Sequence, residues 1–167
     1  SNYEDINLFI PSNPNEFKYL FEKNYSNKSI NYFRISENNL KFDIKSNGFL
    51  RKKNNSLLII IVGNSIDTKD IKKKNFDLYY VNNITRKMNF SFIKKYKKIL
   101  IIEPYFGNIL ERRVKKMIKK ISNIHTISYQ ETIIHKYGSK LDQDRYLKFD
   151  KKNILRKINE LSKYKTN

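Results

Sequence analysis

The sequence contains no cysteine, no tryptophan and no alanine, and only four glycines and three prolines among its 167 residues. Without cysteine the chain can form neither a disulfide framework nor a thiolate zinc site. It has no secretory signal and no apolar run long enough to span a bilayer. We therefore expect a cytoplasmic protein that does not enter a membrane. The chain begins with Ser1 rather than methionine, which indicates processing, the remnant of a tag or truncation.

The formal net charge of +19 is unevenly distributed along the chain. Residues 1–44 hold five basic and six acidic residues (net −1), whereas residues 45–167 hold thirty and ten (net +20). Strong positive charge is typical of nucleic-acid-binding proteins. We do not favour that function, because the basic residues are spread over many segments and the abundance of Lys, Asn and Ile follows A/T-rich codons. The asymmetry predicts two differently composed units.

The first unit has the pattern strand, helix, strand. Residues 6–10 form a short apolar strand, and residues 31–35 form a second. Asn13 offers a side-chain cap, Pro14 suits the first helical position, and Glu16 follows the cap by three residues. Four residues are expected on the buried face of this helix: Phe17, Leu20, Phe21 and Tyr25. Two strands and one helix cannot close a core, so this unit must pack against something else.

The second unit alternates strands and helices after a polar linker over residues 45–55. Its first strand, residues 57–62, is a continuous apolar run of the kind that parallel sheets bury on both faces. Further strands are predicted at residues 78–81, 99–102 and 124–129, and helices at 90–96, 108–121 and 151–164. This order predicts an α/β fold in three layers, with an open, mostly parallel sheet and helices on both faces. The strand-helix-strand unit before it is a remnant of a second α/β domain.

Six segments, in this order, resemble the C-terminal part of the transketolase family. They are INLFIPSNPNE (6–16), NYFRIS (31–36), LLIIIVGNS (57–65), VNNITRKMN (81–89), ILIIEPYFGNILERRV (99–114) and the segment from HKYGS to INEL (135–161). Met88 departs from the family pattern, which has a proline there. The resemblance implies the end of a pyrimidine-binding domain at 1–44, a linker at 45–55 and a transketolase C-terminal-like domain at 56–167.

Members of this family use thiamine diphosphate and magnesium, and they hold the diphosphate through a Gly-Asp-Gly and Asn motif that this sequence lacks. The resemblance therefore implies the C-terminal section or subunit of a thiamine-diphosphate-dependent, transketolase-like transferase acting on sugars. By itself the chain is expected to bind no cofactor or metal and to contribute to assembly, not to catalysis. Its expected partners are N-terminal cofactor-binding domains or a subunit that carries them, in a homo-oligomer such as a dimer. The alternatives are the C-terminal part of a 1-deoxyxylulose-5-phosphate synthase, or a non-catalytic assembly or regulatory module.

The resemblance places Arg34 near substrate, since family members use arginine in this segment to grip a sugar phosphate. A second arginine of some members is replaced here by Glu37, which would repel a phosphate; the alternative is that Arg34 pairs with an acid at a domain interface. Glu103 ends a central strand, where α/β folds build their sites, although a hydrogen bond that braces the following loop is an alternative. His135 matches a family position, with a structural role as its alternative. The turn at residues 63–65 follows a strand, but one glycine makes a poor phosphate loop.

Overall fold

The computed structural model describes residues 6–35, 44–71, 75–85, 88–104, 108–117, 123–129 and 138–163. A small sheet of three strands has the order β2-β1-β6, with β1 at Ile6–Phe9, β2 at Ile30–Phe33 and β6 at Asn83–Ile84. β1 and β2 are parallel, as the crossover through helix α1 (Pro14–Asn24) requires, and β6 is antiparallel to β1. The strand-helix-strand pattern predicted for the first unit is therefore correct, and a strand from the second unit extends its sheet.

The larger sheet has five strands in the order β3-β5-β4-β7-β8. In chain order these strands are Gly48–Arg51 (β3), Leu57–Val62 (β4), Asp77–Val81 (β5), Lys98–Glu103 (β7) and Ile124–Ser128 (β8). Only β3 is antiparallel, so the predicted open, mostly parallel sheet is confirmed. β3 lies within the segment predicted as a polar linker, because Gly48–Arg51 finds a hydrogen-bonding edge on β5 that its own sequence pattern does not reveal.

β4 occupies the centre of this sheet, and all six of its residues are buried. Leu58, Ile60 and Val62 face one hydrophobic cluster and Leu57, Ile59 and Ile61 face the other, as the period of two in a strand dictates. Helix α2 (Ile109–Met117) covers the first face with Leu110 and Val114, and helix α4 (Lys151–Lys163) covers the second with Ile154, Ile158 and Leu161. The predicted three layers are confirmed.

Several details of the helices differ from the sequence-based expectation. The predicted helix at 90–96 is a 3-10 helix at Ser91–Lys95. The short polar helix that the sequence predicts after the turn at 63–65 is present, as a 3-10 helix at Thr68–Asp70. Helix α3 (Lys140–Tyr146) was not predicted, although Ser139 and Asp142 form a capping box at its start. The sequence places Met117 on the apolar stripe of the predicted helix at 108–121, but its side chain is exposed at the end of α2. The rest of the predicted helix, residues 118–121, lies outside the described residues.

The prediction for the buried face of α1 is partly wrong. Leu20 is buried and Phe17 is half-buried, but Phe21 and Tyr25 are exposed. Phe21 lies near the end of α1 and Tyr25 directly follows the helix. Their rings stack at 5.8 Å, and the Phe21 ring lies 5.7 Å from that of Phe33 on β2.

None of the helices in the described ranges combines the length and the apolar character that crossing a membrane would require.

Candidate functional site

Arg34 lies where the small sheet meets the carboxyl edge of the large sheet. Its backbone N–H donates to the carbonyl of Phe9 (2.8 Å), which continues the pairing of β2 with β1. Its guanidinium donates through Nη1 to the carbonyl of Pro104, directly after β7, and lies 5.9 Å from the ring centroid of Tyr129, after β8. At this distance a guanidinium is attracted to the face of an aromatic ring. Arg34 thus connects the two sheets; Glu37 lies outside the described residues.

Glu103 is fully buried at the carboxyl end of β7. Its carboxylate accepts the backbone N–H groups of Leu110 (2.9 Å) and Glu111 (3.3 Å), so it satisfies the free donors at the start of α2. Burial raises the pKa of Glu103 to about 7, even though the two N–H groups lower it and the Arg112 charge lowers it further. Chemically, Glu103 can take up or release a proton near neutral pH, while its geometry holds the β7-to-α2 connection.

The other predicted positions are His135 and the turn at residues 63–65. His135 lies outside the described residues. Gly63 has a φ of 53°, a left-handed conformation that glycine adopts freely. Its N–H donates to the carbonyl of Val81 (2.8 Å), while the Ser65 hydroxyl donates to the carbonyls of Val62 and Ile102 (3.3 Å for the latter). The turn at 63–65 therefore ties the carboxyl ends of β5, β4 and β7 together.

Glu16 makes a polar cluster that sequence reasoning missed. Its carboxylate is buried and accepts from the N–H and hydroxyl of Ser12 (2.6 Å each), from the hydroxyl of Tyr80 (3.0 Å) and from the amide of Asn82. Tyr80 lies on β5 and Asn82 follows it, so this carboxylate joins the first unit to the large sheet. Asn13 caps α1 as predicted, by accepting from the N–H of Glu16 (2.9 Å).

The only sequence signal for this cluster was the position of Glu16 three residues after the cap, which indicated a role within the helix. The sequence pattern predicts only a local role for the carboxylate, because its partners Tyr80 and Asn82 follow more than sixty positions later. Pairing of Glu16 with Tyr80 and Asn82 depends on how the two sheets pack.

Asp77 is a third buried carboxylate, at the amino end of β5. It accepts from the N–H groups of Lys53 (2.9 Å) and Asn55 (3.1 Å), from the Asn55 amide (3.0 Å) and from the Tyr96 hydroxyl (2.7 Å). Burial alone would raise the pKa of Asp77, but these hydrogen bonds outweigh it and lower the pKa to about 2. Asp77 stays ionised and holds the 52–55 segment in place.

A cleft of about 1200 Å³ opens beside the turn at 63–65. Oppositely charged side chains on its wall pair with one another: Lys140 with Asp144 (2.5 Å), and Lys151 with Asp70 (2.6 Å). Asp144 also accepts from the Tyr129 hydroxyl (2.9 Å). These contacts leave the cleft with balanced charge, in contrast to the chain as a whole.

A thiamine diphosphate and magnesium site does not fit the residues present. Magnesium in such a site needs oxygen ligands converging with the diphosphate, and the described ranges contain no group of three or more His, Cys, Asp or Glu placed to hold a metal ion. The sequence has no Gly-Asp pair. The buried carboxylates Glu16, Asp77 and Glu103 each accept hydrogen bonds from the protein itself.

No family model matches the chain, and no curated protein sequence does. The solved structures that are similar in fold include a split-gene transketolase described as an inactive β4 tetramer (TM-score 0.69, 9% identity) and the transketolase of Campylobacter jejuni subsp. jejuni (TM-score 0.60, 12% identity). Each similarity covers 93% of this chain, but the chain spans only 57% and 26% of the two structures. The chain has a transketolase-like fold, and the predicted resemblance to the C-terminal part of transketolase is confirmed at the level of the fold.

Proposed function

We propose that this chain is the C-terminal section or subunit of a thiamine-diphosphate-dependent, transketolase-like transferase acting on sugars. In this proposal the chain contributes to assembly, and the cofactor and magnesium are held by N-terminal domains or by a separate subunit. The observation that carries the proposal is the similarity in fold to the split-gene transketolase, which covers 93% of this chain.

The buried contacts between the two sheets support an assembly role. Glu16 and Arg34 both reach from the first unit to the second, through Tyr80 and Asn82 in one case and through Pro104 in the other. Buried, hydrogen-bonded charges hold a defined geometry, because a polar group left unpaired in the interior raises the free energy of the folded state. The chain would therefore present the end of a pyrimidine-binding sheet in a fixed position.

The experiment is reconstitution with the polypeptide that carries the remaining transketolase sections, followed by calorimetric binding of thiamine diphosphate and an assay of two-carbon transfer. The complex is expected to bind the cofactor and to transfer two-carbon units, and the chain alone to do neither. A reconstituted complex that binds no thiamine diphosphate would refute the enzyme assignment. A complex that remains fully active without residues 56–167 would refute the assembly role.

Arg34 is included in the proposal as a substrate-binding residue, with Glu103 and His135 as functional-loop positions. Its guanidinium lies at the carboxyl edge of the large sheet, where it donates to the carbonyl of Pro104, and an arginine there could also contact a sugar phosphate. In the reconstituted enzyme, Arg34→Gln is expected to raise the KM for the sugar more than it lowers kcat. An unchanged KM with a lower melting temperature would assign Arg34 to the interface alone.

A non-catalytic module is the second candidate, favoured by the way Glu103 is used. Its carboxylate caps α2 and is fully buried, so a residue at a typical active-site position of an α/β sheet serves the scaffold here. A reconstituted complex that assembles stably with this chain but binds no thiamine diphosphate and transfers no two-carbon units would favour this candidate.

A further inference from the structure

Tyr129, which directly follows β8, is held in place from two sides. Its hydroxyl donates to the buried carboxylate of Asp144 on α3 (2.9 Å). Its ring meets the ring of Phe149 edge-on, with the two centroids 4.8 Å apart. Two side-chain torsions place a tyrosine ring, so one fixed contact at the hydroxyl and one at the ring together define its orientation.

The carboxylate that holds the Tyr129 hydroxyl is itself fixed. Asp144 also accepts from the ammonium of Lys140, one helical turn earlier (2.5 Å), and its backbone carbonyl accepts from the N–H of Phe149 (2.8 Å). A buried carboxylate is unfavourable unless it is paired and hydrogen-bonded. These contacts supply the pairing, so Asp144 is an acceptor with a defined position.

The Tyr129 hydroxyl remains protonated at physiological pH. Burial raises the pKa of Tyr129, the hydrogen bond to Asp144 and the charge of that carboxylate raise it further, and the Arg34 charge lowers it. The hydroxyl is therefore a permanent donor to Asp144, and the ring carries no net charge. The face of such a ring is electronegative and attracts a cation.

The ends of two neighbouring strands place the guanidinium of Arg34. Pro104 follows β7 and accepts from Nη1, while the ring centroid of Tyr129, after β8, lies 5.9 Å from the guanidinium carbon. The backbone of Arg34 is fixed by its bond to Phe9, so only the side-chain torsions remain to be set. A side chain restricted before a ligand arrives loses less conformational entropy when it binds.

We propose that Tyr129, held by Asp144, is a positioning residue that orients the guanidinium of Arg34 toward an anionic group of the sugar substrate. The inference rests on the proposed function, in which Arg34 contacts the substrate. It extends that site into the second unit, which then contributes to substrate binding as well as to assembly.

A second hydrogen bond between a tyrosine and an aspartate provides a matched control. The Tyr96 hydroxyl donates to the buried carboxylate of Asp77 (2.7 Å) at the amino edge of the large sheet, the edge opposite to Arg34. Tyr96→Phe therefore removes the same kind of bond far from the proposed site. At the site itself, Tyr129→Phe removes the bond and keeps the ring, whereas Tyr129→Leu removes both.

The experiment measures two-carbon transfer to glyceraldehyde phosphate, a sugar phosphate, by the reconstituted complex. Tyr129→Leu is expected to raise the KM for this acceptor about three- to tenfold, and Tyr129→Phe about twofold, with kcat changed less than about twofold in both. Tyr96→Phe is expected to lower the melting temperature and to leave the KM unchanged. Because Tyr129 acts through Arg34, adding Tyr129→Leu to Arg34→Gln should raise the KM no further.

A second measurement uses the chain without a partner. The ring current of Tyr129 should shift the proton signal of the Arg34 Nε–H group, which is assigned in a nitrogen-proton NMR spectrum by its loss in Arg34→Gln. This signal is expected to move in Tyr129→Leu and to stay in place in Tyr96→Phe. A signal that does not move in Tyr129→Leu would overturn the proposal.

The outcomes separate this proposal from the proposed function. A wild-type complex that transfers no two-carbon units refutes the enzyme assignment, and the Arg34 signal then decides separately whether Tyr129 orients the guanidinium. An active complex refutes the positioning role and leaves the enzyme assignment intact if Tyr129→Leu has the wild-type KM, or if its effect adds to that of Arg34→Gln.

Discussion

The Glu16 cluster allows a quantitative test of how the two sheets are held together. Glu16→Ala removes a buried carboxylate that accepts four hydrogen bonds, two of them from Ser12 and one each from Tyr80 and Asn82. All three donor residues are buried, so water does not freely replace the lost acceptor. The substitution therefore leaves donors from both units without a partner.

The size of the effect follows from the number of donors. A buried donor that loses its acceptor costs about 1–3 kcal/mol, and water entering the space left by the side chain offsets part of this. We expect Glu16→Ala to lower the free energy of unfolding by about 3–6 kcal/mol. Tyr80→Phe removes one bond and leaves the carboxylate with three donors, so about 1–2 kcal/mol is expected.

The assay is urea unfolding of the chain, followed by far-ultraviolet circular dichroism and by tyrosine fluorescence, since the chain has twelve tyrosines and no tryptophan. Glu22→Ala is the matched control, because Glu22 lies on the same helix, is exposed, and makes only a 3.9 Å ion pair with Lys18. Its expected cost is about 0.5 kcal/mol or less. Equal costs for Glu16→Ala and Glu22→Ala would refute the reasoning, and so would strict additivity of Glu16→Ala with Tyr80→Phe.

Three further predictions concern the other buried groups. The pKa of Glu103 is about 7 in the folded chain, above its ordinary value of 4.5. The contribution of Glu103 to the free energy of unfolding is therefore greatest below pH 4.5 and is lost as the pH rises through 7. About 3 kcal/mol of pH-dependent stability should disappear in Glu103→Gln, measured by unfolding between pH 5 and 8. The pKa of Asp77 is lowered to about 2, so its contribution to the free energy of unfolding is complete above its ordinary pKa of 3.8 and is lost as the pH falls toward 2. Asp77→Asn should remove about 2 kcal/mol at neutral pH and weaken the loss of stability at acid pH. An unchanged loss of stability at acid pH would contradict this. In Gly63→Ala a Cβ would overlap Cγ2 of Ile10, and together with the positive φ this should lower the free energy of unfolding by about 2–4 kcal/mol. An unchanged melting temperature would show that Ile10 does not pack closely against this turn.

Local pattern was sufficient for the central elements of the fold. β4 was predictable because six consecutive apolar residues have few alternatives to a strand buried on both faces. α1 was predictable because Asn13 and Pro14 mark its start. β3 and β6 were not predicted, since each is short and becomes a strand only by pairing with β5 or β1. The proposed division at residues 44 and 56 stays a prediction.

The candidate site was less predictable than the fold. Arg34 was identified through the family resemblance and Glu103 through its place at a strand end. Their contacts with Pro104 and with the start of α2 depend on how the chain folds back. His135 lies outside the described residues, so its role stays a prediction. Glu16 was seen only as part of a helix start, although its carboxylate is bonded across the junction of the two sheets.

The sequence by itself determined the absence of disulfides, the alternation of strands and helices, the transketolase-like order of segments and the insufficiency of the first unit as a separate core. These properties follow from composition and from short-range periodicity, which the chain carries at every point. Only the tertiary structure decided that β6 joins the small sheet and that Glu16 and Arg34 connect the two sheets. The tertiary structure also decided that Phe21 on α1 and Ile30 on β2 are left exposed. The physical reason is that burial and hydrogen bonding are properties of pairs of residues distant in sequence, and only the packing of the sheets brings those pairs together.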